Sequence, residues 1–201
     1  MVVYEFATPI SEAEIRQLQI NDILYLNGTI VTARDQAHRR ALEYLKQGKT
    51  LPINLEGLAV FHCGPLVRKR KGQWDVVAAG PTTSIRMEPF EERFLKNFKP
   101  RVIIGKGGMG RKTTKAMEKY GAIYGAFTGG VAVLAAKSII KVEKVEWLDL
   151  GAPEAMWVLK VKEFGPLAVA IDSHGNNRFT EVQQKVEKNK PMFYRTLGLS
   201  L

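Results

Sequence analysis

The chain has 201 residues, 45% of them hydrophobic and 25% charged, a balance that predicts a soluble globular protein with one substantial core. It contains no run of 18 or more apolar residues and no basic flank leading an apolar stretch at its start, which predicts a cytoplasmic protein without a membrane partner. A formal net charge of +10 points to anionic partners, and the single cysteine, Cys63, excludes an internal disulfide; any zinc ion or iron–sulfur cluster would have to be held mainly by another chain.

Residues 3–10 read as a short strand. Ser11 with Glu14 three positions later has the capping-box spacing for a helical turn over residues 11–17. Residues 21–32 alternate enough to suggest a hairpin that turns at Asn27-Gly28. A helix is expected over residues 35–47, with Ala37, Ala41, Leu42 and Leu45 on one face and Gly48 just past its end. Arg34 precedes it, where a cation opposes the helix dipole, a choice that makes sense if an anion binds beside it. Residues 58–63 and 74–79 are expected strands joined by a basic hairpin with Arg68-Lys69-Arg70-Lys71-Gly72 at its tip. A helix over 89–98, a buried strand over 101–104, a helix over 113–120, a strand over 122–128 and an apolar helix over 131–137 follow. Strands at 142–148, 155–161 and 167–172 complete the pattern. The reading is one α/β domain over residues 1–180 and a basic tail over 181–201, with a hairpin-rich portion that argues against a simple doubly wound sheet.

The stretch around which the rest is organised is Gly80-Pro81-Thr82-Thr83-Ser84-Ile85-Arg86-Met87, a sharp turn between an apolar run and a helix. A bland reading makes its hydroxyls helix caps. A functional reading joins it to two similar strand-to-helix junctions, residues 32–35 and 105–110. The glycine-rich stretch Gly105-Lys106-Gly107-Gly108-Met109-Gly110 is not a P-loop, because its lysine comes too early. It is not a dinucleotide fingerprint either, because no acidic residue follows at about 20 residues. It does offer backbone amides and an ammonium at a helix start, an anion site of general kind. If loops at the carboxyl ends of strands gather, Arg34, Thr82, Arg86 and Lys106 converge, and two guanidinium forks with one ammonium suit a small dicarboxylate. His38, one turn into its helix, either faces this site or packs. Cys63 reads as a small core residue and His174 as part of a turn, so no complete catalytic apparatus is present.

Taken in order, Thr32-Ala33-Arg34-Asp35 with Ala37-His38, Gly64-Pro65, Gly80-Pro81-Thr82-Thr83 with Arg86-Met87, Ile104-Gly105-Lys106-Gly107-Gly108 and Gly129-Gly130 resemble the beta subunit, or C-terminal domain, of the iron–sulfur class I fumarate hydratases and L-tartrate dehydratases. The resemblance spans about residues 1–180. It implies a swivelling β/β/α domain closing over an alpha subunit that carries a 4Fe-4S cluster on three cysteines, with one iron acting as a Lewis acid, and no metal held by this chain. It implies that Arg34, Arg86 and Lys106 grip the dicarboxylate and that Thr82 is the base, with Thr83 and His38 as secondary site candidates. Ser84-Ile85 departs from the family's usual Ala-Gly before the arginine, which bears on substrate identity. The expected activity is reversible hydration of fumarate to L-malate in a two-subunit, higher-order assembly. Dehydration of L-tartrate is the alternative, and a regulatory remnant with no active partner a third reading. A basic anion- or nucleic-acid-binding module is the reading from a different class, and the lack of aromatics among the basic stretches weighs against it.

Overall fold

The computed structural model describes residues 1–198. Strands β1 (Val3–Ala7), β2 (Ile23–Thr32), β3 (Ala59–Phe61), β6 (Val102–Gly105), β7 (Ile123–Ala126), β9 (Met156–Ile171) and β8 (Ile139–Glu146) form one sheet in that order, and β2 also pairs with β9. The extra pairing closes β2, β3, β6, β7 and β9 into a ring. Within it β2, β3, β6 and β7 run parallel, and β9 is antiparallel to both β7 and β2. The hairpin β4 (Leu66–Arg70) and β5 (Gln73–Ala78) stands as a separate two-stranded sheet.

Strands covered on both sides carry apolar residues at every position, and alternate residues go to opposite faces. In β3 and β6, Ala59, Phe61, Val102 and Ile104 join a cluster with Phe164 and Trp157 of β9, enclosed by the ring. Val60 and Ile103 instead join Ala37 and Ala41 of α2 (Asp35–Lys46), Phe94 and Leu95 of α3 (Glu88–Phe98), and Met117 of α4 (Arg111–Tyr120). The helices α2, α3 and α4 therefore pack on the outside of the ring. Parallelism puts the carboxyl ends of β2, β3 and β6 at one edge, where residues 33–35, 62–64 and 106–110 emerge.

The capping box at Ser11 forms as read, on α1 (Glu12–Ile15). Four local expectations do not hold. Asn27-Gly28 is a bulge inside a continuous β2, because Gly28 takes φ +99° and lies where a Cβ would meet Thr8 Oγ1 at 2.5 Å. Residues 58–63 belong to the main sheet, and the basic hairpin joins β4 to β5 instead. Residues 155–172 make one strand, β9, with ladder irregularities where Pro166 has no amide to give. Most of the expected tail forms α6 (Arg178–Thr196), capped by the Asn177 side chain, and residues 199–201 of that tail lie outside the described residues. The apolar α5 (Ala132–Lys137) follows Gly129-Gly130 as expected.

Candidate functional site

At the shared strand edge the Thr82 loop is sewn in as a short extra segment. Pro81 bridges Cys63 and Thr83 bridges Lys106. The Thr82 amide donates to the His62 carbonyl at 2.7 Å, the Lys106 amide to the Thr82 carbonyl at 3.3 Å, and the Ser84 amide to the Lys106 carbonyl at 2.9 Å. Backbone bonds thus fix Thr82 and Lys106 side by side. The Thr82 residue is half-buried, whereas Thr83, Ile85, Arg86 and Lys106 are exposed.

The two arginines reach the same patch from α2 and from the single 3₁₀ turn Ser84–Met87 that leads into α3. Arg34 Nη2 pairs with Glu154 Oε1 at 3.3 Å, and Glu154 Oε2 accepts the Gln36 amide at 3.0 Å. Glu154 therefore supplies the anion that a cation at this helix start called for. Arg86 donates from Nε to Asp35 Oδ1 at 3.1 Å and from Nη2 to Asp35 Oδ2. Burial opposes ionisation of Asp35, but this guanidinium holds its carboxyl below the ordinary range, and the same bond raises Arg86. Asp35 follows Arg34 directly, so the Arg34–Glu154 and Arg86–Asp35 pairs adjoin at the start of α2, and Arg86 follows Thr82 by four residues in the loop that the Lys106 backbone holds. The buried Arg34 Nε has no hydrogen-bond partner among the described residues. Lys106 has no ion-pair partner among them either, so part of the positive charge stays free.

Of the other residues singled out in the sequence, Cys63 lies in the core and His174 in a turn as read, while the helix caps differ. None of Thr82, Thr83 and Ser84 caps a helix by its side chain. The start of α4 is filled by the chain's own Glu88, which accepts the Gly110 amide at 2.7 Å, the Thr113 amide at 3.2 Å and the Thr113 hydroxyl at 2.7 Å. Only Lys106 of the glycine-rich stretch therefore remains for an outside anion. His38 is fully buried, with Nδ1 2.8 Å from the Arg34 carbonyl. His174 is exposed and meets the Arg16 carbonyl. Burial pushes the Cys63 thiol up to about 12, against a smaller opposing effect of Arg34, so it is an inert core residue.

Beneath the patch lies a polar cluster that the sequence did not announce. His38 Nε2 and His62 Nε2 each stand 3.6 Å from Glu91 Oε2, with all three side chains fully buried. Burial pushes Glu91 up to about 7 and holds His38 down at about 4 and His62 at about 3. Ser84 Oγ lies 2.9 Å from His62 Nδ1 and 3.0 Å from Tyr124 Oη. The available signal was Glu91 itself, an acidic residue on the inward stripe of α3 with Phe94 and Leu95 at the next helical positions. The two histidines and Glu91 bring one donor atom each within 4.8 Å of one another, the only spacing of metal-site type among the described residues. A 4Fe-4S cluster does not fit this chain, whose one thiol is buried and protonated.

Compared with known proteins, residues 2–182 match the family model described as "Fumarase C-terminus". The L(+)-tartrate dehydratase subunit beta of Escherichia coli strain K12 is 47% identical over 174 residues, covering 87% of this chain and 85% of that protein. A Methanocaldococcus jannaschii protein provisionally given the same name is 46% identical over 178 residues, covering 88% and 91%. A Geobacillus stearothermophilus protein provisionally named fumarate hydratase class I is 42% identical over 183 residues, covering 90% of this chain but 34% of that longer protein.

Proposed function

Because the chain belongs to the fumarase C-terminus family, we propose that it is the beta subunit of a class I hydro-lyase that adds water reversibly to a four-carbon dicarboxylate, with fumarate and L-malate as the pair. The observation that carries this reading is the patch itself. On this reading Arg34, Arg86 and Lys106 stand around the Thr82 hydroxyl, on a surface too open to exclude water alone, since Arg86 is 45% exposed. A second protein surface must cover it before charges there act strongly on a small anion. On this reading the ring is the swivelling domain of the family, the covering surface is an alpha subunit in the cytoplasm, and the two form a higher oligomer. The 4Fe-4S cluster resides on that alpha subunit, since this chain cannot hold one, and it supplies Lewis-acid chemistry at the substrate hydroxyl.

The chain's own residues then have separable tasks. Arg86 spends Nε and Nη2 on Asp35 and presents its remaining edge, and Arg34 is anchored through Nη2 on Glu154, so each guanidinium can grip one carboxylate without losing its internal anchor. Lys106 adds a point charge. The Thr82 oxygen takes the C3 proton in the dehydration direction and returns it in hydration. A threonine hydroxyl is a weak base, and the adjacent Arg86 and Lys106 favour its deprotonated form. Ser84 is turned inward to His62 and Tyr124, so of the departing pair only the 47%-exposed Ile85 can shape the pocket.

L-tartrate is the second reading, favoured by one observation: the two relatives at 46–47% identity that are separate subunits both bear tartrate dehydratase names. Anaerobic assays with each substrate, on the chain alone and after co-expression with a cluster-bearing subunit, test the proposal. Turnover of fumarate only in the complex, lost on exposure to oxygen, is the expected result. Turnover of tartrate alone moves the assignment to the second reading, and failure to form a complex overturns both.

A further inference from the structure

In the buried cluster under the patch, His38 Nε2, His62 Nε2 and both Glu91 oxygens have no hydrogen-bond partner among the described residues, and a neutral Glu91 gives both histidines one. We propose that Glu91 is a neutral carboxylic acid in the middle of a single one-way hydrogen-bond chain, from Tyr124 through Ser84, His62, Glu91 and His38 to the Arg34 carbonyl. Resting on the functional reading above, we further assign this chain as the positioning device for the two site loops that carry Thr82 and Arg34.

The two ends set the direction. One end is the Tyr124 hydroxyl, which donates to Ser84, and the other is the Arg34 carbonyl. The Arg34 carbonyl, which can only accept, lies 2.8 Å from His38 Nδ1, so His38 carries its proton on Nδ1 and turns the Nε2 lone pair to Glu91. At the other end Tyr124 donates its hydroxyl proton to Ser84 Oγ at 3.0 Å. Ser84 then donates to His62 Nδ1 at 2.9 Å, which leaves the His62 proton on Nε2, also turned to Glu91. Glu91 thus meets one N–H and one lone pair. A protonated carboxyl supplies the acceptor and the donor these need, whereas a carboxylate supplies acceptors only and leaves His38 Nε2 unpaired. Both gaps are 3.6 Å, and closing them to hydrogen-bond length takes a shift of under about 1 Å in a carboxyl group whose terminal torsion is soft. No isolated charge is then buried, although Asp35 and Glu88 lie close enough for their fields to reach the cluster.

The same three side chains have metal-ligand character, but the surroundings favour hydrogen bonds. A structural zinc site needs four protein ligands and a catalytic one keeps an open position. Here there are three donors, all fully buried, with the Phe94 ring centroid 4.4 Å from that of His38.

The test begins with the chain labelled with ¹⁵N histidine, which has three histidines in all, exposed His174 serving as the internal reference. Nitrogen shifts and couplings should show His38 neutral with its proton on Nδ1 and His62 neutral with its proton on Nε2. The infrared difference between wild type and Glu91→Gln should contain a protonated carboxyl band. In the assembled enzyme, Glu91→Gln, which keeps one donor and one acceptor face, should change kcat/KM by less than about tenfold, the worth of one hydrogen bond. Glu91→Leu should lower it about 100-fold, the effect of loops displaced by an ångström. An imidazolium at either position, the same tautomer at both, or one divalent ion per chain that disappears in Glu91→Gln would overturn the proposal. The nuclear resonance result does not depend on turnover, so an inactive complex leaves it standing, and the wrong tautomers in an active complex sink this inference alone.

Discussion

Arg86 and Asp35 show how one contact can matter little for folding and much for binding. The pair is partly exposed, so its contribution to stability is on the order of 0–1 kcal/mol. In a covered site the same guanidinium would face a substrate carboxylate away from water, where losing it costs about 3 kcal/mol of transition-state stabilisation. Arg86→Ala should therefore lower kcat/KM of the complex by roughly 100-fold while barely moving the melting temperature, and unchanged turnover would remove Arg86 from the site. The buried histidines make the opposite kind of statement, about folding and pH. Burial holds His38 at about 4 and His62 at about 3 against an ordinary 6.5, so the unfolded chain binds protons there that the folded chain refuses, and stability falls as pH drops from 6.5 towards those values. Glu91, raised from 4.5 to about 7, works the other way, its contribution being present below 4.5 and lost as pH rises through 7. Two groups outweigh one between pH 6.5 and 4.5, and Asp35, held low, titrates below that window. Melting temperatures should fall on acidification from pH 6.5 to 5, and a rise would contradict the buried-neutral assignment.

At the scale of elements, the loop after β3 shows how tightly the site is built. A Cβ on Gly64 would lie 2.6 Å from Arg34 Nη1 and 2.8 Å from the Pro153 carbonyl. Gly64→Ala should push the Arg34 guanidinium off its Glu154 anchor and raise KM of the complex about tenfold or more, given that ångström displacements cost up to 100-fold. An unaltered KM with an intact fold would separate Arg34 from substrate binding. Such junctions were legible in the sequence because a strand followed by glycine, proline and hydroxyl residues is a local signal. The α/β class, α2 to α5 and the capping box were legible for the same reason. Asn27-Gly28 carries an equally local turn signal and misleads, because the long-range approach of Thr8 and the bonds of Asn27 to Glu5 and to the Glu163 amide make it a bulge instead. Gly165-Pro166 misleads likewise, since β2 pairs with β9 on both sides of the break while β8 holds β9 before it and β7 after it. The His38, His62, Ser84, Glu91 and Tyr124 cluster draws on five separate elements, and no periodicity or spacing within one of them foretells contacts among all five.

For the molecule as a whole, closing the ring through the β2–β9 pairing gathers the site loops, because parallel β2, β3 and β6 deliver residues 33–35, 62–64 and 106–110 to one edge. Family motifs read in chain order pointed to this patch, but neither composition nor periodicity could show that Asp35, Glu88 and Glu154 already occupy part of its positive charge. The net charge of +10 favours approach of dianions to the uncovered face, and no helix among the described residues is long and apolar enough to cross a membrane. On the proposed reading the patch is a half-site with binding groups and the Thr82 hydroxyl, completed by the subunit that covers it. The central claim is that Thr82 moves the substrate proton while its neighbours hold the carboxylates. Deuterium exchange at C3 of the substrate, measured in the assembled complex with wild-type and Thr82→Ala chains alongside the affinity for a dicarboxylate inhibitor, tests this most directly. The account predicts exchange lost and inhibitor binding nearly intact in Thr82→Ala; exchange at the wild-type rate, or inhibitor binding lost together with exchange, would contradict it.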